Sequence, residues 1–112
     1  MSAEINKAVV RRYLEMWNSG DATIADEVLA RDYVDAAHPE VQGTDSVKTS
    51  VGQVRAAFPD FHISIDAIIG EGDTVAVRAT IRRKETDSRV AWFVRLADGK
   101  MVELITYTGV NP

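Results

Sequence analysis

Between Phe58 and Arg83 apolar and polar residues alternate with a period of two. Phe61, Ile63 and Ile65 are interleaved with His62, Ser64 and Asp66. Beyond Gly70-Glu71-Gly72-Asp73, Val75, Val77, Ala79 and Ile81 are interleaved with Ala76, Arg78, Thr80 and Arg82. Successive side chains of a strand point to opposite faces, so the pattern predicts two long antiparallel strands. The glycines between them supply the positive φ angles of a hairpin turn. Before this hairpin the period lengthens. Ile5, Val9, Tyr13, Met16 and Trp17 recur at helical spacing and predict a helix over 3–18, with Ser2 as N-cap, Glu4 in the first turn and Gly20 as the stop. Asp21 reads as the cap of a short second helix that turns Ile24, Val28 and Leu29 inward. Residues 31–35 read as a short strand and 36–43 as a loop. Thr44 opens a third helix along Val47, Val51, Val54 and Phe58, which Pro59 ends. After the hairpin, 85–88 read as a polar connection and 89–97 as a strand. Asp98-Gly99 then makes a two-residue turn into a last strand over 101–108.

Helices first and an antiparallel meander afterwards predict an α+β domain. Strands of this length twist and curve. Three helices on the concave face of a curved, mostly antiparallel sheet would enclose a cone-shaped α+β barrel with one open mouth. At 112 residues, 1–112 reads as a single domain, without repeats or a linker.

Composition narrows the function classes. A hydrophobic fraction of 46% with 27% charged residues is that of a folded soluble chain, not a disordered one. The net charge of -4 argues against nucleic acid as a partner, because phosphate binding needs concentrated Lys and Arg. Arg11-Arg12 and Arg82-Arg83-Lys84 are the basic clusters, and both read as solvated faces. The absence of cysteine removes disulfides and thiolate chemistry. The start, MSAEINK, lacks the apolar core of a signal peptide, and no run is long enough to span a membrane. A cytoplasmic protein with no membrane partner is expected. Two histidines and no ligand spacing give no expectation of a metal. Without a phosphate-binding glycine loop or Gly-x-Ser-x-Gly, no cofactor is expected either.

Three segments carry a resemblance. YLEMWNSGDATIADEVLARDYV resembles the opening of the SnoaL-like polyketide cyclases, within the nuclear-transport-factor-two-like superfamily. There a helix ends in Trp-Asn-x-Gly-Asp and leads to an Asp-Tyr-Val strand. FPDFHISIDAIIGEGDTVAVR is similar to that family's Phe-Pro-Asp segment and Gly-Asp turn, and FVRLADGKMVELITY to its closing hairpin. The resemblance spans nearly the whole chain. It implies a ligand pocket in the cone and a homodimer formed through the sheet. It does not fix the function, since the superfamily holds enzymes, binding domains and transport proteins. Two departures stand out. The extra strand and loop that the cyclases carry before the closing hairpin are reduced here to 84–88. The cyclases' acid/base aspartate on the last strand also corresponds to Thr106. In the limonene-epoxide-hydrolase branch, with its Asp-Arg-Asp set, Arg78 matches the arginine, while Thr80 and Thr106 take the acidic positions. A threonine hydroxyl accepts no proton near neutral pH.

The candidate residues follow from both readings. Arg78 shares the more polar strand face with Thr80, and the resemblance turns that face into the cone. There its guanidinium would hold an enolate or carboxylate, with Thr106 and Leu104 on the same floor. His38, beside Asp35 and Glu40, has the pKa for proton transfer near neutrality. Asp66 is a spare acid that burial would make a base. Tyr13, Trp17, Tyr33, Phe58 and Trp92 supply aromatic wall, although buried aromatics are more often simply core. The expected function is a small-molecule pocket for an apolar or weakly acidic ligand, with cofactor-independent cyclase or isomerase chemistry by proton transfer. The alternatives are a non-catalytic binding or dimerisation domain and an epoxide-hydrolase-like enzyme. Apolar residues on both sheet faces, with helices for one only, predict a homodimer through the open face.

Overall fold

The computed structural model describes residues 2–109. The Ser2 hydroxyl accepts from the Ile5 N–H at 3.1 Å and starts helix α1, Ala3–Ser19. Gly20, at φ 81°, ends it by donating to the Met16 carbonyl, a left-handed position that glycine takes without steric cost. The inward stripe of α1 is Val10, Tyr13, Leu14 and Met16, whereas Ile5 stays exposed. Asp21 does not cap α2 (Ile24–Val28). Its carboxylate instead accepts from the backbone and hydroxyl of Thr23 in the turn before that helix. Strand β1, Leu29–Asp35, begins two residues earlier than the sequence pattern suggests, because the buried Leu29 pairs with Met101. Helix α3 spans Gly43–Ala57.

The other four strands are β2 (His62–Glu71), β3 (Thr74–Arg83), β4 (Thr86–Ala97) and β5 (Lys100–Thr108). They form one sheet with β1 in the order β1-β5-β4-β3-β2, antiparallel except for the parallel β1–β5 pair. The sheet is curved and not closed, with the helices on its concave side. Residues 85–88 are not a connection. Lys84 and Glu85 alone make the β3–β4 turn, both at positive φ (50° and 63°), and β4 begins at Thr86. The Asp60 carboxylate accepts from both turn N–H groups, at 2.9 and 2.8 Å, and pins this hairpin to the start of β2. Those bonds hold the Asp60 carboxyl below its ordinary value.

The strand alternation sorts the sheet faces. Val75, Val77 and Ala79 of β3 and Val90, Trp92, Val94 and Leu96 of β4 are buried against the helices. Met16, Ile24, Tyr33, Val47, Val51 and Met101 complete a core of nearly inaccessible side chains, each apolar one stabilising the fold by roughly 1.5–3 kcal/mol. Two bulges break the period. In β2 the register slips between Ile65 and Ala67, so Ile68 rather than Ala67 follows Ile65 inward. In β5 a slip at Val102 leaves Met101 and Leu104 buried.

Two polar side chains fix the helices to the sheet edge. The Asn18 amide donates to the Ile63 carbonyl at 2.9 Å and accepts the Ile63 N–H at 2.7 Å, pairing with edge strand β2 as a neighbouring strand would. Arg55 of α3 donates to the carbonyls of Trp17 and Phe61. The ends of α1 and α3 and the start of β2 therefore meet around Trp17.

Candidate functional site

The open end of the cone is a cavity of about 940 Å³. Tyr13, Leu14 and Trp17 of α1 form one wall and Phe61 and Ile63 of β2 another. Val90, Trp92, Leu104 and Thr106 form the sheet floor. A smaller cavity of about 270 Å³ lies toward α3 and shares Tyr13, Trp17, Asp35 and His38 with the first. An aromatic row borders both. Ring centroids are 6.4 Å apart for Tyr33–Tyr13, 6.4 Å for Tyr13–Trp17 and 6.2 Å for Trp17–Phe61. Burial raises the phenols of Tyr13 and Tyr33 above their ordinary value, so both are neutral hydroxyls. The Tyr33 hydroxyl is buried without a hydrogen-bond partner among the described residues.

Among the described residues three carboxyls line the two cavities, of which Asp87 and Glu40 are exposed and Asp35 is half-buried. Asp35 ends β1 beside Leu104 of β5, on the same side of the strand as the buried Tyr33. The chain turns immediately afterwards. Asp35 Oδ1 accepts from the Ala37 N–H at 3.0 Å, and the Asp35 carbonyl accepts from the His38 N–H at 3.1 Å. Half-buried, the Asp35 carboxyl is pushed above the ordinary carboxylate value by desolvation, against the opposing pull of the Ala37 N–H and His38. His38 lines the rim of both cavities with its imidazole exposed, Nδ1 lying 3.6 Å from Glu40 Oε1.

Arg78 is not in the cone. It is exposed on the face of β3 opposite Val75, Val77 and Ala79, which pack under the helices. The strand alternation itself assigns it there; only the register with relatives turned it inward. Asp66 and Thr80 belong to the same outer surface. The Thr80 hydroxyl, although its residue borders the cavity, donates to Asp66 Oδ2 at 2.8 Å. Asp66 falls at the β2 bulge and is exposed, not buried in the cone as its reading as a base required. Phe58 lines neither cavity. It sits half-buried at the end of α3, under Arg83 and Lys84. Thr106 and Leu104 do face inward, but on the other side of the sheet from Arg78. Tyr13, Trp17, Trp92, Leu104 and Thr106 come together around the large cavity, and Tyr33 borders the small one.

Asp35 was read from sequence only as a partner for His38. Its signal is the run Asp32-Tyr33-Val34-Asp35: a strand that buries Tyr33 by alternation also directs Asp35 inward. Among the described residues no group of three His, Asp or Glu side chains could hold a metal ion, and no helix is long and apolar enough to cross a membrane.

The profile of the SnoaL-like domain matches residues 10–104. No curated protein matches the sequence. Among solved structures, TsrD from Streptomyces laurentii superimposes with a TM-score of 0.85 at 16% identity, covering 97% of this chain and 91% of its own. A candidate ketosteroid isomerase from Kribbella flavida gives 0.83 at 16% identity, covering 98% and 82%. A candidate polyketide cyclase from Bacillus cereus gives 0.80 at 20% identity, covering 90% and 72%. At these identities the likeness is one of fold.

Proposed function

Because the chain belongs to the SnoaL-like domain family, we propose that it takes a small, largely apolar carbonyl compound into the cone and transfers a proton on it without a cofactor. The observation that carries this reading is Asp35, a half-buried carboxyl of raised pKa on the wall of an aromatic-lined cavity. A base poised nearer neutrality than an ordinary carboxylate suits proton abstraction from carbon. The Asp35 carboxylate removes a proton from the carbon next to the carbonyl, and the electron pair moves onto the carbonyl oxygen. A neutral donor on the wall, the Tyr13 hydroxyl or the Trp92 indole N–H, hydrogen-bonds that oxygen. Returning the proton at another carbon completes an isomerisation. Attack of the enolate carbon on a second carbonyl of the same molecule, with the proton returned to the new alkoxide, completes a ring closure. His38 at the rim exchanges protons with solvent.

A flat apolar ketone, 2-tetralone, tests this. Its exchange of carbon-bound hydrogen for deuterium in heavy water, followed by NMR, is expected to be accelerated by the protein. Asp35→Asn should lower that acceleration by about a hundredfold. Equal acceleration by the variant would overturn the reading. No acceleration, with 2-tetralone still bound, would favour a second reading: a ligand carrier without turnover. Thr106, where the cyclases place an acid, supports that second reading. An epoxide-hydrolase-like mechanism has no support, since Arg78 and the Thr80 hydroxyl lie outside the cone.

We also propose that a second copy covers the outer sheet face. Phe93 and Tyr107 stack edge to face there with centroids 5.8 Å apart, and both are about half exposed, as is much of Ile69. A solvent-facing aromatic pair on a sheet is the kind of surface that interfaces use.

A further inference from the structure

At the mouth of the large cavity the charges are unbalanced. Arg83, Asp87 and Arg89 all border it. The Asp87 carboxylate is engaged by Arg82 at 3.3 Å, and Arg82 also lies 3.9 Å from Asp60. Arg83 has no carboxylate partner among the described residues. It ends β3 on the same side as Ile81, which packs against the core, and its guanidinium carbon stands 5.9 Å from the centre of the Phe58 ring. A guanidinium held over an aromatic ring keeps its in-plane N–H donors free for an anion. Asp35 ends β1, three strands away in the sheet order β1-β5-β4-β3. Across the sheet these three spacings amount to roughly 14 Å, and the register adds an offset along it: Asp35 is level with Leu104, Val94 and Val75, and Arg83 stands eight residues further along β3, about 26 Å of extended strand. Between the two lie Trp92, Leu104 and Thr106.

We propose that Arg83 determines substrate class: the ligand is an elongated apolar carbonyl compound with an anionic group, such as a carboxylate, at the end remote from Asp35. This deepens the proton-transfer reading and rests on it. The anion docks on Arg83 at the mouth, the apolar body lies on the floor, and the carbonyl end reaches the aromatic wall near Asp35. The same arrangement keeps the anion away from the Asp35 carboxylate, which would repel it. It also gives a neutral ligand of equal shape no reason to prefer the mouth.

Two fluorescent probes of nearly the same shape test it: 8-anilinonaphthalene-1-sulfonate, an anion, and N-phenyl-1-naphthylamine, which is neutral. The folded protein is expected to bind both. Arg83→Met should weaken the sulfonate by about tenfold and leave the amine unchanged, and Arg83→Lys should restore part of the difference. Thr106→Trp, which fills the cavity from a half-buried position, should abolish both, whereas Phe93→Ser on the outer face should affect neither. If Arg83→Met leaves the ratio of the two affinities unchanged while Thr106→Trp abolishes both, the role of Arg83 is overturned and the cavity stands as the binding site. If Thr106→Trp leaves both probes bound, binding lies elsewhere, and the cavity reading falls together with the assignment of Arg83. Circular dichroism of each variant establishes that it is folded.

Discussion

Asp35 occupies a place that the folded state would rather fill with an uncharged group. Its folded carboxyl holds a proton to higher pH than it does in the unfolded chain. Between those two values the folded state binds more protons, so stability declines as pH rises through that window and stays lower above it. Asp35→Asn keeps an oxygen for the Ala37 N–H and removes the charge. It is expected to raise the melting temperature at pH 7. At about pH 3 the carboxyl is protonated in the folded state and mostly so in the unfolded one, and the gain should vanish. A melting temperature at pH 7 equal to or below that of the wild type would show that the carboxylate is well solvated where it stands. Under the proposed proton transfer such a variant gains stability where it loses chemistry, the exchange expected of a desolvated functional group. The same residue marks how far the sequence could be read. The polar character of Arg78 and the apolar character of its neighbours were plain, and taken alone they place it outside. Whether Asp35 is desolvated depends on α3 and the turn at 36–38 closing over it, and neither leaves a periodic trace in the sequence.

At the scale of elements, the helices and the Asp98-Gly99 turn were legible because caps, stripes and turn residues act locally. The two bulges were not, since an inserted residue at Asp66 or Val102 changes register without changing composition. The Lys84-Glu85 turn was hidden for a different reason. A two-residue hairpin turn with both φ values positive favours Asn-Gly, and here two long charged residues adopt it. Asp60 makes this possible by accepting both N–H groups from outside the hairpin. Replacing the pair, Lys84→Asn with Glu85→Gly, removes the left-handed penalty and retains the Asp60 bonds. It should stabilise the domain by about 1–2 kcal/mol, measured by urea denaturation. A loss of stability would mean that the cation of Lys84 over Phe58, 5.5 Å from the ring centre, matters more than backbone strain.

At the scale of the molecule, order of elements and sheet curvature followed from helices preceding a meander, while the one parallel pairing, β1 with β5, did not. Nothing local in residues 29–35 names a partner at the far end of the chain. The outer face bears on assembly. Light scattering at micromolar concentration is expected to give twice the 12.3 kDa chain mass, and Phe93→Ser with Tyr107→Ser should halve it; a monomer in the wild type would overturn the dimer. The β1–β5 pairing has one more consequence, for how the chain reaches this structure. The hairpins β2–β3, β3–β4 and β4–β5 each close over short distances in sequence, whereas Leu29 must find Met101 about two thirds of the chain away. Loop closure of that span costs entropy before any contact rewards it. The order of events expected from this has the meander assembling first and β1 docking late. Asp35, at the end of β1, enters the cone with that last step. A full-length chain halted before that step would hold a formed meander without Asp35 beside it, so that the proposed proton transfer would be the last property to be gained.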